Sequence, residues 1–247
     1  MTPGQRLRAE RLAFRIAVVE LHAGVADADQ LLALELAERL SVSPAAARLG
    51  VRGKELSHAY FPRSGFISLV IDIDSHPPLE VGMVGAEAML GSELILGLAA
   101  TPWRALVQGA GTSWRIGAKQ LRAQINAIPE LEALLQACLL ARLHQQTLAA
   151  ACQRYHQIAP RLARWLLMMQ DRSHSDCFHM TQEFMALMLG VRRVGVTEAA
   201  GHFQDAGLIA YHRGELTVLD RKALEAEACS CYAADKQIYQ RLMKAKL

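Results

Sequence analysis

Two adjacent arginines, Arg192 and Arg193, follow Gly190 and open an amphipathic run. A planar guanidinium offers paired N–H donors that match guanine O6 and N7 in the DNA major groove. At the start of a helix such a group projects toward base edges. Thr197 and Glu198 lie about one turn further on. Glu198 can accept from a cytosine amine, or it can repel phosphate and orient Arg193. Thr181, Gln182, His202 and Arg213 suit phosphate oxygens, contacts that fix position without reading sequence. At each of these four the plain alternative is a solvated polar residue.

Those side chains need a frame, and the surrounding pattern predicts one. Thr181 can cap a helix whose first turn holds Gln182 and Glu183. Phe184, Leu187 and Met188 share one helical face. Gly190 permits the left-handed backbone of a tight turn. Val191, Val196, Ala199, Ala200 and Phe203 then continue the apolar period, and Gly207 ends it. Leu208–Tyr211 and Glu215–Leu219 read as strands around a turn at His212-Arg213-Gly214. Helix, turn, helix and hairpin in that order make a winged helix-turn-helix, which sets its second helix in the major groove.

This stretch resembles the Crp–Fnr family of bacterial transcription regulators. The matching words are Met180–Glu183, LGVRR (Leu189–Arg193), VTEAA (Val196–Ala200), GLIAYHRG (Gly207–Gly214) and LDRKALEAEACSCY (Leu219–Tyr232). RLARWLLMMQDR (Arg161–Arg172) matches the helix that leads into the DNA-binding domain. A looser match runs from Tyr60-Phe61-Pro62 and Gly65 to Gly109, and residues before about 55 match poorly. The resemblance implies that Arg193 is the guanine reader. Relatives that read guanine often carry Glu one residue later and Arg where Glu198 stands. Val194 and Glu198 occupy those places here, so a different preferred DNA sequence is expected.

The resemblance also implies where an effector would bind. In cyclic-nucleotide-binding relatives a Gly-Glu pair holds the ribose, and an Arg before a small residue holds the phosphate. The matching positions are Gly91, Glu93, Leu94, Arg104 and Ala105, with Glu93 and Arg104 11 residues apart. The chemistry is sound, since Glu accepts from a ribose hydroxyl and Arg pairs with a phosphate. But Ser92 splits the Gly-Glu pair and bulky Trp103 precedes Arg104, so a cyclic nucleotide is disfavoured and Arg104 has the alternative of a structural salt bridge. No cysteine precedes Cys138, so an Fnr-type iron–sulfur cluster is not expected. Cys229-x-Cys231 is short for a zinc site and lacks an obvious second pair. His174 and His179 flank Cys177 in a stretch that reads as loop. No metal site is therefore expected.

The chain has 247 residues, 52% hydrophobic, room for one large or two medium domains. Net charge is only +3: 15 basic and 14 acidic residues up to position 155, 12 and 10 beyond it. Any basic footprint must therefore be local. The longest uncharged run, Leu143–Gln153, has 11 residues and is too short to span a bilayer. Five cysteines, an odd number without a secreted framework, fit a reducing cytoplasm. No nucleophile–base set, phosphate loop or dinucleotide motif stands out, so an enzyme is not expected.

Residues 1 to about 55 read as helical, chiefly Leu7–Leu21 and Asp29–Arg39. Phe66–Ile73, Leu79–Met83, Ala105–Val107 and Ser113–Ile116 read as short strands between glycine-punctuated turns, as in a sandwich or barrel. Pro129 suits a first helical position. Leu131, Leu134, Leu135, Cys138, Leu139, Arg142, Gln146, Ala149, Ala150 and Gln153 then trace one stripe, long enough to engage a partner helix.

The expected fold class is α+β: a jelly-roll domain of the cyclic-nucleotide-binding type with N-terminal helices (1–125), a dimerisation helix (126–158) and a winged helix-turn-helix (159–247). The expected protein is a homodimeric DNA-binding regulator with double-stranded DNA as partner, RNA polymerase as a further candidate, and no membrane. The alternative is a small-molecule receptor whose C-terminal domain acts in protein contact.

Overall fold

The computed structural model describes residues 38–42, 48–50, 55–98, 100–108, 111–173 and 175–244. The predicted helix Leu7–Leu21 and most of Asp29–Arg39 lie outside them. Glu38–Val42 (β1) and Arg48–Gly50 (β2) are strands, which corrects the helical reading of this region. Their pairing partners are distant in sequence: β1 runs antiparallel to Gly111–Gly117 (β7), and β2 to Arg104–Val107 (β6). Tertiary pairing of this kind overrides local helix propensity.

The remaining strands of the N-terminal domain are His58–Pro62 (β3), Ile67–Ile71 (β4) and Leu79–Val84 (β5). They form two sheets, β1-β7-β3 and β2-β6-β4-β5. The run ISLVI in β4 is buried at its first four positions, which its β-branched residues fit. A 3-10 turn, Ser92–Leu96, follows β5. Gly91 caps it at φ 95, a left-handed backbone that glycine adopts without strain.

Ala118–Ala127 (α1) leads to the long helix Pro129–Tyr155 (α2), with Pro129 at the predicted first position. Leu131, Leu134, Leu135 and Cys138 are buried in the core shared with the β-domain. Part of the predicted stripe thus packs within its own chain. The outward face is different: Leu140 is 42% exposed and Leu143 58%, with Thr147, Ala150, Ala151 and Arg154 also exposed.

Ile158–Ser173 (α3) carries the chain into the C-terminal domain, with Leu162, Leu166, Leu167 and Met169 fully buried. Cys177–His179 (β8) precedes Gln182–Leu189 (α4) and Arg193–Asp205 (α5). Ile209–His212 (β9) and Glu215–Val218 (β10) form the hairpin, and β8 pairs with β10 as a third strand. The stretch read as loop around Cys177 is therefore strand. The short helix Arg221–Glu227 (α6) and the last helix Cys231–Lys244 (α7) follow. α7 returns to pack along α2, with Met243 in the β-domain core and the Tyr239 hydroxyl donating to the Glu87 carbonyl at 3.0 Å. In the sequence the tail is only a family word; its packing against both domains depends on contacts far apart in the chain.

The two domains share a core. Phe66, Val70 and Met83 of the β-domain pack with the apolar face of α3 and with α4 and α5. At this seam the Trp165 indole N–H donates to Glu80 Oε1 at 2.8 Å, and Ser68 Oγ donates to Glu80 Oε2.

Candidate nucleic-acid interface

Local chemistry builds the helix-turn-helix as its sequence implies. Thr181 Oγ1 accepts from the Phe184 amide at 3.1 Å, capping α4. Gly190 adopts φ 63, and the Val191 amide bonds back to the Ala186 carbonyl at 3.0 Å to close the turn. A Cβ at Gly190 would also meet Leu79 Cδ1 at 2.7 Å. Gly190→Ala is accordingly expected to lower stability by about 1–2 kcal/mol or more from left-handed strain alone. The unfolding midpoint in urea should fall with its slope unchanged.

Of the predicted core positions in α5, Val196, Ala199, Ala200 and Phe203 are all buried, at 5% exposure or less. On α4 the burial is wider than one face. Met185, Ala186, Met188 and Leu189 are buried, Met188 and Leu189 beside residues of β5 and α3, whereas Phe184 and Leu187 line an open groove shared with the β4–β5 hairpin. The helix is apolar nearly all round because it is packed on two sides.

The outer face of α5 is open. Arg192, Arg193, Thr197, Glu198 and His202 are exposed, as is Gly201 between them. Arg192 occupies the N-cap and Arg193 the first helical position. Among the described residues neither guanidinium has a hydrogen bond or ion pair. Val194, 60% exposed, stands beside Arg193 and is an apolar group of the kind that meets a thymine methyl. In the sequence Val194 stands out only as a departure from the family pattern; its exposure beside Arg193 is visible only in the fold.

Thr197 and Gln182 are joined: Thr197 Oγ1 donates to Gln182 Oε1 at 2.6 Å, tying α5 to the start of α4. Thr181 is exposed with its hydroxyl engaged as the cap. His202 points toward α6, with Nε2 4.0 Å from Glu227 Oε2. Arg213 sits at the tip of the β9–β10 hairpin at φ 49, with Gly214 at φ 85. Two positive φ values in a two-residue loop make a type I′ turn, whose twist matches the strands. This tip is the wing. His179 Nδ1 lies 2.8 Å from Glu215 Oε1 on its base, which holds the Glu215 carboxyl below its usual range. His174 lies outside the described residues.

The second predicted group divides differently. Arg104 forms a bidentate pair with Asp72, at 2.7 and 2.6 Å, because the β4–β6 register puts Val70 opposite Arg104. The salt-bridge alternative therefore describes Arg104. Gly91 and Leu94 are buried, as are Glu93, 9% exposed, and Ala105. The guanidinium that faces this region is Arg142 of α2. Its Nη1 donates to Ser92 Oγ at 3.0 Å, and it stacks 4.7 Å from the centre of the Trp103 ring. Ser92 and Trp103, the two departures from the family pattern, are both partners of Arg142. Burial lowers the Arg142 pKa to about 10, opposed by the charge of Glu93. Both Glu93 carboxylate oxygens and two Arg142 nitrogens are buried without a hydrogen-bond partner among the described residues.

Near the α2–α3 elbow a further group comes together. Cys152 and His156 close α2, and Cys229 and Cys231 flank the start of α7. The Cys152 and Cys229 sulfurs lie 3.5 Å apart, and Cys231 Sγ lies 3.6 Å from His156 Nδ1. The contact between the two sulfurs shifts them in opposite directions, lowering the Cys229 thiol and raising that of Cys152. The expectation of no second pair for Cys229 and Cys231 is corrected here. Their partners come from a helix some 75 positions earlier.

No helix among the described residues is long and apolar enough to cross a membrane. Residues 160–227 match the family model of the Crp-like helix-turn-helix domain. No curated protein sequence matches the chain. Among solved structures, FixK2 from Bradyrhizobium japonicum is similar at 13% identity, covering 79% of this chain and 98% of its own, with TM-score 0.63. A CRP-family transcriptional regulator from Thermus thermophilus is similar at 18% identity, over 77% of this chain and 96% of its own, TM-score 0.59. The c-di-GMP-responsive global regulator CLP from Xanthomonas campestris is similar at 16% identity, over 75% of this chain and 95% of its own, TM-score 0.59. Residues 160–227 are thus a helix-turn-helix domain of the Crp-like type, and the chain as a whole, with a jelly-roll-like domain and a long helix ahead of it, shares the fold of Crp–Fnr transcription regulators.

Proposed function

We propose that the chain is a homodimeric, cytoplasmic, sequence-specific DNA-binding regulator in which α5 enters the major groove. The observation that carries this reading is the free outer face of α5. Arg193, Val194 and Glu198 are exposed side by side on a helix whose opposite face is fully packed. The wing at Arg213 and the amide-rich start of α4 at Thr181 and Gln182 flank that face as phosphate contacts. A net charge of +3 attracts DNA only weakly, so the reading rests on placement rather than on bulk field. The test is titration of the purified chain with its own promoter DNA and with unrelated DNA at several salt concentrations. Preference for the promoter supports the reading, with affinity falling steeply as salt rises through counterion release. A flat salt dependence with no preference would favour the receptor alternative.

A two-fold dimer presents two such helices to a symmetric site. The outward stripe Leu140, Leu143, Thr147, Ala150 and Ala151 is the proposed contact between the two copies of α2. The double variant Leu140→Glu, Leu143→Glu is expected to sediment as a monomer and to lose promoter affinity at least about tenfold, the worth of one lost half-site contact. A variant that remains dimeric would move the interface elsewhere. An effector, if one acts, is proposed to bind where Glu93 and Arg142 leave buried polar atoms unpaired, and to shift the pose of the paired recognition helices. Calorimetry with cyclic AMP, cyclic GMP and cyclic di-GMP tests the nucleotide class directly. RNA polymerase is a proposed partner on family grounds alone.

A further inference from the structure

The four side chains at the α2–α3 elbow have no part in the proposed DNA contact, yet they converge. Cys152, His156, Cys229 and Cys231 each offer one ligand atom, and all four atoms lie within 4.8 Å of one another. The three cysteines are 8% exposed or less. A tetrahedral zinc ion with bonds of about 2.3 Å to sulfur and 2.0–2.1 Å to nitrogen separates its ligands by roughly 3.5–3.8 Å. Two of the separations, 3.5 Å between Cys152 and Cys229 and 3.6 Å between Cys231 and His156, are on that scale.

The backbone supports the same arrangement. Cys152 and His156 are four residues apart at the end of a helix, so they share one face. Cys229 and Cys231 are presented by the bend between α6 and α7, where the Cys229 amide donates to the Pro160 carbonyl at 3.3 Å. Arg161 and Arg164 stand near enough to act on Cys152 and Cys229. Their positive charge opposes the net negative charge that three thiolates and one divalent cation would carry. A disulfide between Cys152 and Cys229 would use two of the four groups and leave Cys231 and His156 without purpose.

We propose that Cys152, His156, Cys229 and Cys231 form a closed tetrahedral site for a soft divalent cation, zinc first. Three thiolates and one imidazole select such a metal over hard, oxygen-seeking cations. All four positions are filled by protein, so the site is structural and holds no water for catalysis. Its place gives it a consequence. It ties the end of the long helix to the start of the last one, across the elbow that joins α2 to the DNA-binding domain. Metal loading therefore sets how firmly that domain is held against α2.

The test uses the full chain purified under reducing conditions with zinc supplied. Elemental analysis should find one zinc per chain. Removal by a chelator and refilling with cobalt(II) should give the thiolate-to-cobalt charge-transfer band and the intense visible bands of a tetrahedral ion. Zinc should then bleach both. Cys229→Ser and Cys231→Ser should lose the metal, while Cys138→Ser and Cys177→Ser, outside the cluster, keep it. His156→Ala, at a half-buried helix end, removes a ligand with the least cost to folding. It should weaken zinc retention and alter the cobalt spectrum. Two results overturn the proposal: wild-type chain that retains no zinc and gives only the pale spectrum of hydrated cobalt, or a Cys152–Cys229 disulfide recovered in place of metal from freshly lysed cells.

Discussion

Arg193→Ala is expected to erase most of the difference between promoter and unrelated DNA while leaving the fold intact. The side chain is exposed and makes no hydrogen bond or ion pair among the described residues, so its loss should change stability by no more than about 0.5 kcal/mol. In the major groove the same freedom becomes specificity. A bidentate pair to guanine is worth about 1–3 kcal/mol of discrimination, and a symmetric dimer makes it twice. Specific affinity should therefore drop about 30-fold or more, since each 1.4 kcal/mol is about tenfold. Arg193→Lys keeps the charge and loses the fork, so it should retain non-specific affinity and still lose selectivity. Arg213→Ala, at the wing tip, should instead weaken all sequences alike and reduce the salt slope by about one. Promoter preference that survives Arg193→Ala would assign the reading to other residues, Val194 and Glu198 foremost.

The parts of this fold legible in the sequence are those fixed by neighbours in the chain. Thr181 as cap, Gly190 as turn and the Val196–Phe203 face depend on spacings of three or four, and the structure places them so. The hairpin follows from Arg213-Gly214 and two short β-prone runs. What escaped depends on distant partners. Glu38–Val42 is a strand because β7 lies beside it, not because of its own composition. Arg104 is held by Asp72 through strand register, and the place expected for a phosphate-binding arginine is faced by Arg142, which in the sequence is only one member of a helical stripe. Cys229 and Cys231 looked solitary because their partners arrive from the end of α2. Helix α7 carries too mixed a pattern to announce that it returns across both domains.

Glu80→Gln is expected to make the protein more stable above neutral pH and to remove one step from its pH dependence. Glu80 is fully enclosed at the seam between β5 and α3, and burial raises its carboxyl to about 7. The hydrogen bonds from Ser68 and Trp165, and then the charges of Arg172 and Arg164, oppose that rise without cancelling it. Both arginines are committed elsewhere: Arg172 pairs with Glu87 at 2.7 Å and Arg164 with Asp235 at 2.6 Å. Neither is therefore a dedicated counter-ion for Glu80. The sign follows from proton counting. Between pH 4.5 and about 7 the folded chain keeps a proton that the unfolded chain has released. Stability contributed by this group is thus complete below about 4.5, falls as pH rises, and is level again above about 7. The whole step amounts to roughly 3 kcal/mol. Glutamine matches the protonated carboxyl: its carbonyl accepts from Trp165, and its amide donates to Ser68 once that hydroxyl turns. The difference in unfolding free energy between wild type and variant, measured in denaturant from about pH 5 to about pH 8, should grow by about that amount in favour of the glutamine form. Taking the difference cancels every other titrating group common to both proteins. Parallel curves across that range would mean that Glu80 stays ionised in the folded chain, and that the seam supplies it with more compensation than its two hydrogen bonds and the two shared arginines provide.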